Sequence, residues 1–244
     1  MPSDAVARLR AELSRRFPTA MRRPAPAPAA LLTGYPALDA LLPGGGLPRG
    51  RIVEIVGSTS SGKLSIALGA MAQLTRAGSL GAFIDVTGQF FAPAAEAAGV
   101  ALDRLLVVRP IPPLALEAAL VVVQSRAFTL AVLDAPTAAT PDRLEASHAA
   151  RLRRLCEEGD TALVLLREPS AARPGRPLVQ AATLRLRVRP RLEGTRVIVD
   201  KNAAGPEGAA AELRILRYAS YCLRAATELR LAGASQSRQP RPPR

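Results

Sequence analysis

From Leu32 onward, the spacing of apolar positions switches repeatedly between two periods. Short, almost wholly apolar runs ("RIVEIV", "GAFIDV", "LLVVRP", "TLAVLDA", "TALVLL") read as buried strands. Between them, apolar residues recur three to four positions apart, the period of a helix with one buried face. The spacing predicts a helix from about Lys63 to Arg76, a short one at "PAAEAAG", and longer ones at "PLALEAALVVVQSRA" and "PDRLEASHAARLRRLCEEG". "ALDALL" reads as a short helical piece, and "PGGGLPRG" as a tight glycine-rich turn. Strand and helix in alternation predict an α/β fold, with a mostly parallel central sheet and helices on both faces.

After Arg167 the pattern changes. "EPSAARPGRP" reads as a loop, followed by three short strands, "TLRLRVRP", "TRVIVD" and "AELRILRY". The link "RLEG" between the first two has hairpin length, so the sheet should end in antiparallel strands. Five segments follow: an N-terminal helix within 1–20, with Val6, Leu9, Leu13 and Phe17 on one face; a Pro-rich linker at 21–31; a core at 32–218; a C-terminal helix at 219–233; and a basic, disordered tail at 234–244.

Composition changes the picture in three ways. In 244 residues, a hydrophobic content of 48% suffices for a sizeable core, and with aromatics at 3% that core must be built from Leu, Val, Ile and Ala. The longest apolar runs are broken by charge or proline before membrane-spanning length, and Arg8, Arg10 and Glu12 interrupt any leader-like stretch. The expectation is a cytoplasmic, nucleoid-associated protein with no membrane partner, in which Cys156 and Cys222 form no framework disulfide. The net charge of +13, carried almost entirely by Arg, favours anionic partners such as DNA, although a compositionally biased genome accounts for it equally well. Only two lysines occur, Lys63 and Lys201. A compact ammonium at Lys63 is what a phosphate cradle needs, and Arg replaces it poorly.

Lys63 sits in Gly57-Ser58-Thr59-Ser60-Ser61-Gly62-Lys63-Leu64-Ser65, between a strand and a helix. That is the order of a P-loop, in which backbone N–H groups curl round phosphates and the Lys reaches them. The position after the Lys normally carries the hydroxyl that ligates magnesium; here it is Leu64. Ser65 is rotated by about 100° along the helix and cannot stand in. Asp134, at the end of "TLAVLD", matches an acid that would hold magnesium through water, with a strand-end cap as the alternative.

Taken together these blocks resemble the bacterial RecA family. "TGYPALDALLPGGGLPRGRIVEIVGSTSSGK" is similar to that family's "TGS-LD-ALG-GGLP-GRIVEI-G-ESSGKTT", "GAFIDVTGQF" to its "AFIDAEHAL", "AAGVALDRLLVVRP" to its "LGVD-DNLL-SQP", and "GTRVIVDKNAAGP…AELRILRY" to its "TRVKVVKNK-A-P…AEF-I-YG". The resemblance covers roughly residues 5–217 and implies a RecA-type P-loop core, an N-terminal helix that packs on a neighbour, and a nucleic-acid context. It also implies losses. Asp85 is kept, but the water-activating glutamate after it corresponds to Thr87. The adenine-stacking Tyr corresponds to Ala94, and the base-contacting Asp to Phe91. Of the paired lysines that reach a neighbour's phosphates, one is Lys201 and the other Ala203. The nucleotide-sensing glutamine falls at Glu168 or Arg167. Both DNA-binding loops are shortened, the second to "REPSAARPGRPLVQ".

This erosion resembles the ImuA proteins, RecA-like accessory factors of damage-induced mutagenesis. That resemblance implies as partners RecA, an ImuB-like Y-family polymerase homologue and, through the complex, an error-prone replicative-type polymerase. A homo-oligomer and direct DNA binding are further candidates. Tyr218, Tyr221, Leu223 and Leu229 in the C-terminal segment are candidate partner contacts, with docking on the core as the alternative. ATP or ADP with magnesium are the loop's candidate ligands, with Asp134 and Asp85 as candidate metal residues, but no cofactor is firmly implied. Two readings result: a non-catalytic regulatory scaffold, and a divergent DNA-dependent ATPase or recombinase in which Glu54 serves as a substitute acid. The alternation of Arg185, Arg187 and Arg189 reads either as a phosphate- or partner-binding stripe or as the solvated face of an edge strand. His148 reads as structural.

Overall fold

The computed structural model describes residues 29–134, 142–169 and 177–215. The expected N-terminal helix, most of the linker, the C-terminal helix, the tail, and Tyr218, Tyr221, Leu223 and Leu229 lie outside the described residues. The described strands are β1 (Ala30–Leu31), β2 (Leu47–Pro48), β3 (Ile52–Gly57), β4 (Gly81–Asp85), β5 (Leu105–Val108), β6 (Leu130–Asp134), β7 (Ala162–Arg167), β8 (Leu184–Arg191), β9 (Gly194–Asn202) and β10 (Ala210–Leu213). The helices are α1 (Pro36–Asp39), α2 (Lys63–Arg76), α3 (Ala92–Ala97), α4 (Ala115–Gln124), α5 (Asp142–Gly159) and α6 (Pro177–Ala181).

The main sheet has eight strands in the order β10-β9-β8-β3-β7-β6-β4-β5. From β8 to β5 neighbouring strands are parallel, while β8, β9 and β10 run antiparallel to one another. The helix of about Lys63 to Arg76 and the antiparallel ending are thus as the periodicity predicts. The parallel strands have no polar face because both faces are covered. On one side α2 and α3 pack with Val53, Ile55, Phe83 and Val132. On the other, α4, α5 and α6 pack with Ile52, Ile84, Leu133 and Leu165. Each large side chain fully buried in these layers contributes about 1.5–3 kcal/mol.

Three expectations are corrected. Ala30 and Leu31, expected as the end of the linker, form a strand paired with Leu47 and Pro48, so the glycine-rich turn itself contains β2. The stretch "PLVQ" is not loop: Pro177–Ala181 is helical, because Leu178 and Ala182 are buried in the core against α5. Third, β8 is not an edge strand. It lies between β3 and β9, and its arginines are largely matched by acids: Arg185 meets Glu54 at 2.5 Å, and Arg187 meets Asp200 at 2.5 Å.

Candidate phosphate loop and carboxylate pair

The loop Ser58–Gly62 leaves β3 at its C-terminal end and opens α2. Two residues take the left-handed conformation the curl needs, Ser60 (φ 60°) and Gly62 (φ 98°). At Gly62 a side chain is also excluded by space, since a Cβ would stand 2.8 Å from Ile215 Cδ1 and 2.9 Å from Thr195 Oγ1. Thr195, on β9, donates its hydroxyl to the Ser61 carbonyl at 2.8 Å and so ties the antiparallel arm to the loop. The Lys63 ammonium folds back and donates to the Ser58 carbonyl at 3.2 Å. Sequence order and backbone therefore agree on a P-loop geometry.

The side chains around it do not form a magnesium site. Leu64 is half-buried and packs against the core layer of α2, while Ser65 is buried one step further round the helix. Asp85 and Asp134 are brought side by side, in register at the ends of β4 and β6. Asp85 is already saturated: it accepts from the Gln89 N–H (3.0 Å), the Phe90 N–H (3.0 Å), the Thr87 hydroxyl (3.2 Å) and Arg109 Nε (3.1 Å). Burial works to raise its pKa, but the Phe90 N–H, Arg109, Thr87 and the Gln89 N–H together hold the carboxyl below its ordinary value. Thr87 is thus occupied in organising this turn. Asp134 has its carboxyl pushed up, first by burial; Lys63 opposes this, and Asp85 and Glu168 add to it. Among the described residues no group of three or more His, Cys, Asp or Glu side chains is arranged to hold a metal ion. The residues present do not fit magnesium.

Of the two residues expected from the resemblance to stand at the base-contacting positions, Phe91 is exposed at the start of α3 and Ala94 is buried within it. Lys201 lies about 20 Å along β9 from Thr195, judged by the rise of a strand, so it cannot reach its own chain's loop. It donates to the Gln180 carbonyl at 3.0 Å and borders a cavity of ≈ 410 Å³ shared with Arg51, Arg153, Glu157 and Ala203, at the opposite end of the sheet. Glu54, expected as a substitute acid in one reading, is buried four positions before the loop, between Arg167 (3.1 Å) and Arg185 (2.5 Å). His148 is half-buried on α5, with Ser147 Oγ 3.5 Å from its Nδ1.

Glu168 and Arg167, which the sequence leaves as alternatives for one role, separate in space. Arg167 turns to Glu54, whereas Glu168 accepts from the Thr59 hydroxyl at 2.6 Å and lies 3.8 Å from Lys63 Nζ. The contact with the loop is therefore Glu168's. Periodicity could not reveal it, since it depends on β7 lying beside β3.

The family model of the RecA N-terminal domain matches residues 26–151. The chain is 42% identical over 120 residues to "Protein RecA" of Salinispora arenicola, a match covering 49% of this chain and 34% of that protein. It is 46% identical over 117 residues to "Protein RecA" of Clavibacter michiganensis, covering 47% of this chain and 32% of that protein. The chain thus spans about a third of the length of the curated relatives it matches. Among solved structures, "Crystal structure of the RadB recombinase" has the same fold, with a TM-score of 0.64 and 20% identity, covering 77% of this chain and 96% of that one.

Proposed function

The chain belongs to the RecA family, and on that premise we propose that it is a non-catalytic RecA-like regulatory scaffold of the DNA-damage response, acting in error-prone translesion synthesis. The observation that carries this reading is the state of the catalytic positions. Leu64 is half-buried against the core where a magnesium ligand would stand, and Asp85 is saturated by Arg109 and by a turn that includes Thr87. Hydrolysis needs a polarised phosphate and an activated water; Lys63 remains for the first, but among the described residues Thr87 offers no carboxylate for the second and Leu64 no hydroxyl for a metal ion. What the chain retains is the shape of the core, which is what binding a RecA-type surface requires.

In this reading the protein engages RecA, or copies of itself, through its RecA-type surfaces, and holds an ImuB-like Y-family polymerase homologue through its C-terminal segment. An error-prone replicative-type polymerase joins through that complex. Mixing into RecA filaments would limit recombination and favour mutagenic bypass. On this reading Lys201, which is remote from its own loop, would serve a neighbouring molecule's phosphate and would have to leave the Gln180 carbonyl to do so. The test is direct binding of the purified full chain to purified RecA and to the polymerase homologue. Binding to neither would sink the proposal.

A divergent DNA-dependent ATPase or recombinase is the second reading, favoured by the intact loop backbone, the retained Lys63 and the recombinase-like fold. Steady-state ATP turnover with and without single-stranded DNA separates the two. Turnover that Lys63→Ala abolishes would establish the enzyme.

A further inference from the structure

A loop with this backbone attracts phosphate because N–H groups and an ammonium converge on one point. Here a carboxylate stands beside the loop, against a side chain of it and near its ammonium. Glu168 is the first residue past β7, and β7 pairs with β3, so the chain leaving β7 emerges beside the loop leaving β3. Arg167 is fixed to Glu54 at 3.1 Å on one face of the sheet, and the alternation of an extended chain then aims Glu168 the other way. Its Oε1 accepts the Thr59 hydroxyl at 2.6 Å, a short charge-assisted bond, and lies 3.8 Å from Lys63 Nζ. Both partners belong to the phosphate loop.

We propose that Glu168 is an intramolecular competitor for phosphate, its carboxylate hydrogen-bonded to Thr59 and within ion-pair distance of Lys63, and so keeping the loop closed to the phosphate tail of a nucleotide. The inference rests on the non-catalytic reading and deepens it, because the loop is then held shut rather than merely lacking catalytic groups. An entering phosphate must displace the carboxylate from Thr59 and then sit beside it, like charge against like charge, at an exposed loop where water screens part of the repulsion. A bound magnesium ion would screen that repulsion, but the residues for it are missing. Binding gained by removing the carboxylate should therefore be independent of magnesium.

The experiment is calorimetric titration of the full chain with inorganic pyrophosphate and, separately, with ATP, each with magnesium or with EDTA. Wild type is expected to bind weakly. Glu168→Gln, which keeps the shape and removes the charge, is expected to bind pyrophosphate at least about tenfold more tightly, equally with and without magnesium. Adding Lys63→Ala should cancel the gain, placing it at the loop. Thr59→Val, which keeps the carboxylate but removes its anchor, provides a second route and should give a smaller gain. Thermal melts confirm that each variant is folded. Equal, weak binding by wild type and Glu168→Gln overturns the competitor and leaves the scaffold reading standing. Equal, tight, magnesium-dependent binding overturns both. A gain that survives Lys63→Ala also overturns the proposal, since the new site would then lie elsewhere.

Discussion

Glu54 on β3 and Arg185 on β8 stand opposite each other in register across parallel strands, and their side chains meet at 2.5 Å. Arg167, from the strand on the other side of β3, completes the clamp at 3.1 Å. A carboxylate buried at 2% exposure is tolerated here because two guanidiniums and their hydrogen bonds replace its water. Glu54→Ala leaves both arginines without their acid, Arg167 at 15% exposure and Arg185 at 30%. We expect a loss of about 3 kcal/mol in chemical denaturation, less than for a fully buried pair because Arg185 can still reach water. Glu54→Gln should recover part of that loss. Unchanged stability in Glu54→Ala would contradict the clamp.

Thr195 joins the antiparallel arm to the phosphate loop through one buried hydrogen bond to the Ser61 carbonyl. Thr195→Val keeps the β-branched shape and removes the donor. The expected cost is about 1–2 kcal/mol, because a buried carbonyl loses its partner. Hydrogen exchange should quicken at the loop and at the β9–β10 end together, whereas the cavity by Lys201 should be unaffected. Faster exchange throughout the sheet would contradict a local role.

The parallel layer was readable in the sequence because buried strands have nearly continuous apolar runs, and α2 because its period and its loop coincide at Lys63. What the sequence hid depends on lateral order. Arg185, Arg187 and Arg189 read as an exposed stripe, since nothing in "LRLRVR" says that β3 lies on one side and β9 on the other. Asp85 kept the letter of a metal residue, yet its four hydrogen-bond donors come from a turn and from Arg109, beyond the next strand. Leu178 looked like part of a loop because five residues are too few to show a helical period. The strand–loop–helix order around Gly57–Lys63, being contiguous, was legible; the carboxylate of Glu168 resting on the loop was not.

The paired carboxylates at the ends of β4 and β6 should respond to pH in opposite ways. Asp85 is held below its ordinary value, so its contribution to stability is present above the unfolded pKa, near 3.8, and is lost as pH falls through the lower folded value. Asp134 is pushed above 3.8, so the protonated form is favoured by folding, and that stabilisation fades as pH rises through the folded value. Asp134→Asn should therefore raise the melting temperature at pH 7 to 8, with the advantage over wild type shrinking as pH falls towards about 4. Asp85→Asn should lower it at neutral pH, with the deficit closing only at strongly acid pH. Thermal melts of both variants across pH 3 to 8 provide the check, and parallel curves for the two would contradict the opposite environments.

Restoring one missing letter should not restore an enzyme. Leu64→Thr returns a hydroxyl to the position after Lys63, but that side chain is half-buried against the core layer of α2. The exchange removes apolar contact and brings in a hydroxyl, so it should cost about 1–2 kcal/mol of stability. It still leaves Asp85 bound to its turn and no carboxylate at Thr87 to activate water. The expected result is no ATP turnover above background, with or without single-stranded DNA. Leu64→Thr combined with Thr87→Glu tests the point harder. Thr87 donates to Asp85 at 3.2 Å, so a glutamate there sets a second carboxylate against the first and loosens the turn that Gln89 and Phe90 close. That double variant should be less stable than either single one and still inactive. Turnover in either variant would show that Leu64 and Thr87 are what keeps the site inactive, and would move the balance to the ATPase reading.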